Sequence, residues 1–190
     1  MTKIEKKKAN FLQKYNPTLN IDIALSRSVN AAVQHNILYS KELAKSAKTE
    51  IRNFWFQELT KISTEFKKDV SISRYEEIID ELKFSLNTKY KNYFDNKSSF
   101  GSGLRTSHAQ KSISVFIKHL WCLNKINEPR ICPIDRIILS KTEAKRDQCI
   151  SWGYVNSIIE HRQKFEYVIR AAKAVEMSVA TWELLLFDED

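Results

Sequence analysis

Glycine and proline are scarce in this chain, three of each in 190 residues. That leaves too few turn-formers for a β sandwich or barrel and favours long helices. Cysteine is limited to three, an odd number with no CxxC pair, which argues against a disulfide framework. His119, Cys122 and Cys132 offer three zinc-ligand types, but the second ligand pair that a structural site needs is missing, and buried free thiols are the plainer reading. No window is apolar enough to cross a bilayer, and the opening M-T-K-I-E-K-K-K lacks the apolar core of a signal peptide. A cytoplasmic protein with no membrane partner is expected. Phosphate-cradling G-x-x-x-x-G-K-[ST] and G-x-G-x-x-G motifs, the G-x-S-x-G elbow and H-E-x-x-H are absent. The acidic pairs Glu76-Glu77 and Asp80-Glu81 read as solvated helix faces, because neighbours on a helix point in different directions.

What is present is a folded-protein composition, 43% hydrophobic and 28% charged, with a net charge of +8 spread along the chain. Such a balance suits a polyanionic partner, since Lys and Arg displace counterions from phosphates. A lysine-rich solvated surface accounts for the same charge without a partner.

The periodicity predicts an all-α fold, a compact multi-helix domain over residues 1–190. A two-lobed variant, with helices flanking a cleft, would divide near 95–103, where N-K-S-S-F-G-S-G forms the one glycine-containing loop. A basic helix over 3–15 ends at Pro17, and Asn20 or Asp22 caps a second helix rich in small residues. Ser40 caps a helix from Lys41 to about Phe66. Ser73-Arg74-Tyr75-Glu76 matches a capping box for a helix that continues through Tyr90, Tyr93 and Phe94. A short turn over Arg136 to Leu139, a helix from Val155 to about Val175 and a last one capped by Ser178 complete the reading.

The stretch from Ser107 to Leu139 organises the rest. Ile113, Phe116, Ile117, Leu120 and Trp121 form one apolar stripe at helical spacing, so this helix is expected to be buried along one side. With Ser107 or Thr106 as N-cap, Lys111 falls in the first turn, near the positive end of the helix dipole. Dipole and desolvation together would lower the lysine's pKa, and a lysine that is neutral part of the time is a nucleophile. Beyond a proline-bounded loop, Asp135 opens the next helix.

Q-K-S-I-S-V-F-I-K-H-L-W followed by C-P-I-D-R-I-I-L resembles the helix-hairpin-helix DNA glycosylase superfamily, over about residues 107–139. That family places a catalytic lysine at the start of a buried helix and an aspartate after a hydrophobic-Pro-hydrophobic segment. The long connector C-L-N-K-I-N-E-P-R-I is nearest in look to the archaeal oxoguanine glycosylase branch. The family's glycine-rich hairpin and iron–sulfur cysteines are missing here.

The resemblance implies Lys111 as Schiff-base nucleophile and Asp135 as activating carboxylate, with no cofactor and no metal. It implies DNA as partner, double-stranded with an everted base, and a monomeric enzyme. An everted base needs a stacking ring and polar readers. Trp152, Tyr154, Phe100 and Trp121 are the candidate rings (Trp121 more readily core, since it completes the stripe), Gln110 and His108 the candidate readers, and Lys118 and Arg136 the candidate phosphate holders. The substrate would be an oxidised purine or a modified base of foreign or phage DNA, and an amine nucleophile permits strand cleavage as well. Two plainer roles stay open, Lys111 as an ordinary surface lysine and Asp135 as an N-cap alone. With both, the protein would be a non-catalytic basic helical protein that binds nucleic acid or another partner.

Overall fold

The computed structural model describes residues 1–34, 38–95 and 103–186. Among them are nine α-helices: α1 (Lys3–Tyr15), α2 (Ile21–Val33), α3 (Lys45–Glu65), α4 (Ile72–Tyr90), α5 (Thr106–Cys122), α6 (Arg136–Ser140), α7 (Arg146–Ile150), α8 (Ile158–Ala174) and α9 (Val179–Leu186). The only β pairing among the described residues is an isolated bridge between Tyr39 and Phe94. The fold is all-α. No helix among the described residues is long and apolar enough to cross a membrane. The expected lobe boundary falls largely on residues 96–102, outside the described residues.

Local chemistry sets most of the helix starts. The Thr2 hydroxyl accepts from the Glu5 amide while the Glu5 carboxylate accepts from Thr2, a reciprocal cap that begins α1. Asn20 accepts from the Asp22 amide at α2, and the Ser178 hydroxyl accepts from Thr181 at α9. The starts of α3, α4, α5 and α8 differ from the sequence reading. Helix α3 begins at Lys45 rather than Lys41, because Ser40 accepts from Leu43 in a turn and its own amide donates to Tyr93, beside the Tyr39–Phe94 bridge. Helix α4 is capped by Ser71, two residues before the expected Ser73, which frees Glu76 from capping. Glu76 is then buried and takes a bidentate contact from Arg162 of α8, so it is not part of a solvated face. Helix α8 starts at Ile158 rather than Val155, with Ser157 and Glu160 forming its capping box.

Helix α5 lies at the centre, in contact with α1, α2, α3, α4 and α8. Its closest neighbour is α2, where Ala24 and Val29 are wholly buried. The apolar stripe from Ile113 to Trp121 is buried as expected. The polar flank is buried too, so that Val115 is the one residue of α5 that is not. The reason is that chain returns over that flank: Ile131 to Ile134, α9 and the turn Ser151–Tyr154 cover what an isolated amphipathic helix would leave wet. The serine hydroxyls enclosed there find partners. Ser112 accepts from the Trp55 indole at 3.1 Å, and Ser114 donates to the Gln110 carbonyl at 2.6 Å. A second, smaller core holds Phe11, Leu12, Trp121, Cys122, Ala180 and Leu184, tying α1 and α9 to the C-terminal end of α5. All three cysteines are free and buried.

Candidate functional site

The N-cap of α5 is Arg105, one residue earlier than Thr106, and its amide donates to His108 Nδ1 at 3.0 Å. Lys111 therefore sits in the second turn of α5 rather than the first. Its side chain is only 10% exposed and runs toward the segment entering α6, where Asp135 waits. Lys111 Nζ donates to Asp135 Oδ2 at 2.5 Å, while Asp135 Oδ1 accepts from the Ile138 amide at 2.9 Å. The aspartate thus caps α6 with one oxygen and holds the lysine with the other. Burial would raise its carboxyl pKa, but the Lys111 ammonium and the amides of Ile138 and Ile137 outweigh that and hold it below the usual aspartate value.

The Trp152 ring lies close to the pair, its centre 5.9 Å from Lys111 Nζ. Trp152 is half-buried, on the 3-10 turn Ser151–Tyr154. That turn is pinned to the start of α5: Arg105 Nε and the Ser107 hydroxyl both donate to the Gly153 carbonyl, at 3.1 and 2.8 Å, and the Ser107 amide donates to Val155. Gln110, the residue before the lysine, is 3% exposed, with Nε2 donating to the Ile134 carbonyl at 2.8 Å. Its Oε1 is buried and accepts no hydrogen bond among the described residues.

Comparisons with family models, with curated proteins and with solved structures give no match for this chain.

The structure therefore brings Lys111, Asp135, Trp152 and Gln110 to one place. Arg136, the first residue of α6, is exposed directly beside Asp135. Tyr154 is 42% exposed at the end of the Trp152 turn. His108 is placed differently: it is wholly buried and its imidazole helps cap α5 instead of facing an opening. Burial, and then the nearby Arg105, push its pKa down to about 3, so it stays neutral. Lys118 is not a phosphate holder, because it is buried against Glu183 at 2.7 Å, with its ammonium over the Phe11 ring. Phe100 lies outside the described residues. No group of three His, Cys, Asp or Glu able to hold a metal occurs among the described residues.

Arg105 escaped the sequence reading and Ser107 entered it only as a possible N-cap, because their work is to hold a turn some 46 residues away in the chain. The one local signal was the run of polar residues R-T-S-H ahead of an apolar stripe.

Proposed function

We propose that this protein is a DNA glycosylase with associated lyase chemistry, in which Lys111 is the nucleophile and Asp135 the carboxylate that serves it. The observation that carries the reading is the 2.5 Å contact between the two side chains beneath the Trp152 ring. Asp135 takes a proton from the ammonium, leaving a neutral amine. The amine attacks the sugar C1′ as the glycosidic C–N bond breaks; the bond's electron pair leaves on the base, which receives the proton from Asp135. The carboxylate, ionised again, faces the positive charge developing on the sugar. Loss of a second proton from nitrogen and opening of the sugar ring give an imine. On this reading Trp152 stacks on the everted base and Arg136 meets a flanking phosphate, while Gln110, whose Oε1 is buried, reads the base edge only after the groups covering it move.

Borohydride trapping tests this on DNA carrying oxidised purines or modified bases of the kind found in phage genomes. Wild type should form a covalent adduct, Lys111→Ala none, and Asp135→Asn should lose excision while remaining folded. A second reading is favoured by the capping contact of Asp135 with Ile138 and the low exposure of Lys111. On that reading the pair is a structural strut in a non-catalytic nucleic-acid-binding protein. It predicts no adduct with any substrate, and a salt dependence of DNA binding that both substitutions leave unchanged.

A further inference from the structure

At the far end of α5 from Lys111, two cavities of about 350 and 540 Å³ share Asn127 and Glu128 and so form one groove. Its walls are the end of α3, the connector that follows α5, and Lys8 from α1. Five cations and two carboxylates line it, an excess of positive charge. Both carboxylates are engaged by other groups, although Glu128 also acts on Lys8 across the groove. Asp69 is engaged by Arg130 through both oxygens, and Glu128 accepts from the hydroxyls of Ser178 and Thr181 on the α9 side. Lys8 donates to two neutral oxygens, the Trp121 carbonyl at 3.2 Å and Asn124 Oδ1 at 3.3 Å, so its charge is not compensated by them. Lys67, Lys68 and Lys125 are exposed and make no ion pair among the described residues.

We propose that this groove docks the phosphodiester backbone of a nucleic acid, with Lys67, Lys68 and Lys125 facing phosphates and Asn124 and Asn127 supplying neutral hydrogen bonds. The apolar content of the groove argues for this partner over others. Its two aromatic residues, Phe66 and Trp121, are 5% and 4% exposed, so they give a peptide no anchoring pocket. None of the large hydrophobic side chains exposed elsewhere on the protein lines it, so it has no wedge for a lipid surface. Spread lysine charge with interleaved amides and no exposed ring is the pattern of contacts that position a backbone without reading bases. The proposal deepens the reading of the Lys111 site by naming where DNA is gripped, but it needs no chemistry at Lys111.

Fluorescence anisotropy with an undamaged labelled duplex tests it, on protein carrying Lys111→Ala so that reaction plays no part. The groove variant Lys67→Glu/Lys68→Glu/Lys125→Glu should bind at least about tenfold more weakly, and the slope of log K against log salt should fall by roughly 2 to 3. A control of equal charge change, Lys45→Glu/Lys145→Glu/Lys173→Glu, should weaken binding less than about threefold at the same salt. Should the groove variant lose its cooperative melt, Lys67→Gln/Lys125→Gln is measured in its place. Equal losses in groove and control variants, no DNA binding by the parent, or displacement of DNA by polyglutamate as readily as by unlabelled duplex would overturn the proposal. A missing borohydride adduct would sink the glycosylase reading and leave this result standing.

Discussion

The Ser107 hydroxyl donates to the Gly153 carbonyl at 2.8 Å, and through that bond the start of the central helix holds the turn that carries Trp152. Arg105 reaches the same carbonyl, so the ring's position over Lys111 is fixed from two directions. Both donors are buried, where an acceptor left short of a partner is costly. Ser107→Ala should destabilise the protein by about 1 kcal/mol. Its clearer signature is local: amide hydrogen exchange over residues 151–155 should quicken while α1 is unchanged. Unchanged exchange there would show that Arg105 and the Ser107 amide hold the turn without the hydroxyl.

Lys111 and Asp135 are coupled by their short contact in a largely enclosed site, with side-chain exposures of 10% and 24%. Asp135→Asn keeps an oxygen for the Ile138 amide but strands the ammonium, and should cost about 2–3 kcal/mol in urea unfolding, below the fully buried range because Asp135 keeps some contact with water. Lys111→Met leaves the carboxylate with its amide bonds and should cost less. The double variant should cost less than the two singles together, by about 1–3 kcal/mol of coupling. Strict additivity would mean that the contact contributes nothing to the fold.

Among the described residues three histidines are buried and neutral. His108 is held down to about 3, and His119 and His161 to about 4, by burial first and then by neighbouring cations, with Glu76 opposing the shift at His161. An unfolded histidine titrates near 6.5, so below that pH the unfolded chain binds more protons and stability falls as pH falls. Each contributes about 1.4 kcal/mol per pH unit across its window, so together they should give a slope of roughly 4 kcal/mol per unit between about pH 6 and 4. Asp135, depressed in the fold, adds its own loss only at lower pH, as it protonates. Thermal melts from pH 7 to 4.5 check the slope, and His161→Phe should reduce it by about a third.

Gly103 enters α5 with φ of +89° and sits against Asn87, whose amide brackets Leu104 by donating to its carbonyl and accepting from its amide. A Cβ at this position would strain the backbone and run into the Asn87 side chain. Gly103→Ala should therefore cost about 1–3 kcal/mol. Gly103→Asn, which tolerates the left-handed region better but is bulkier, should not recover that loss. Urea midpoints of the two variants provide the comparison.

The helices were legible in the chain because their information is local: an apolar stripe, a capping hydroxyl and a lack of turn-formers each act within a few residues. The starts of α3 and α4 were misplaced where a distant partner outbid the local motif, Tyr93 for Ser40 and Arg162 for Glu76. Lys111 and Asp135 stood out in the sequence as a pair of types, through their places on successive helices. That their side chains meet is a property of the fold, because the connector between α5 and α6 had to turn back across the polar flank of α5.

By itself the sequence determined an all-α protein built on one central amphipathic helix, since helical periodicity and caps need no long-range contact. Tertiary structure alone decided which lysines are buried and which are free. Lys118 lies seven residues, two turns, beyond Lys111 on the same helix, yet it is locked to Glu183 while Lys67 and Lys125 face solvent. The physical reason is that a side chain's charge state and reach depend on what the remote chain packs against it, and that packing leaves no mark in the neighbouring residues.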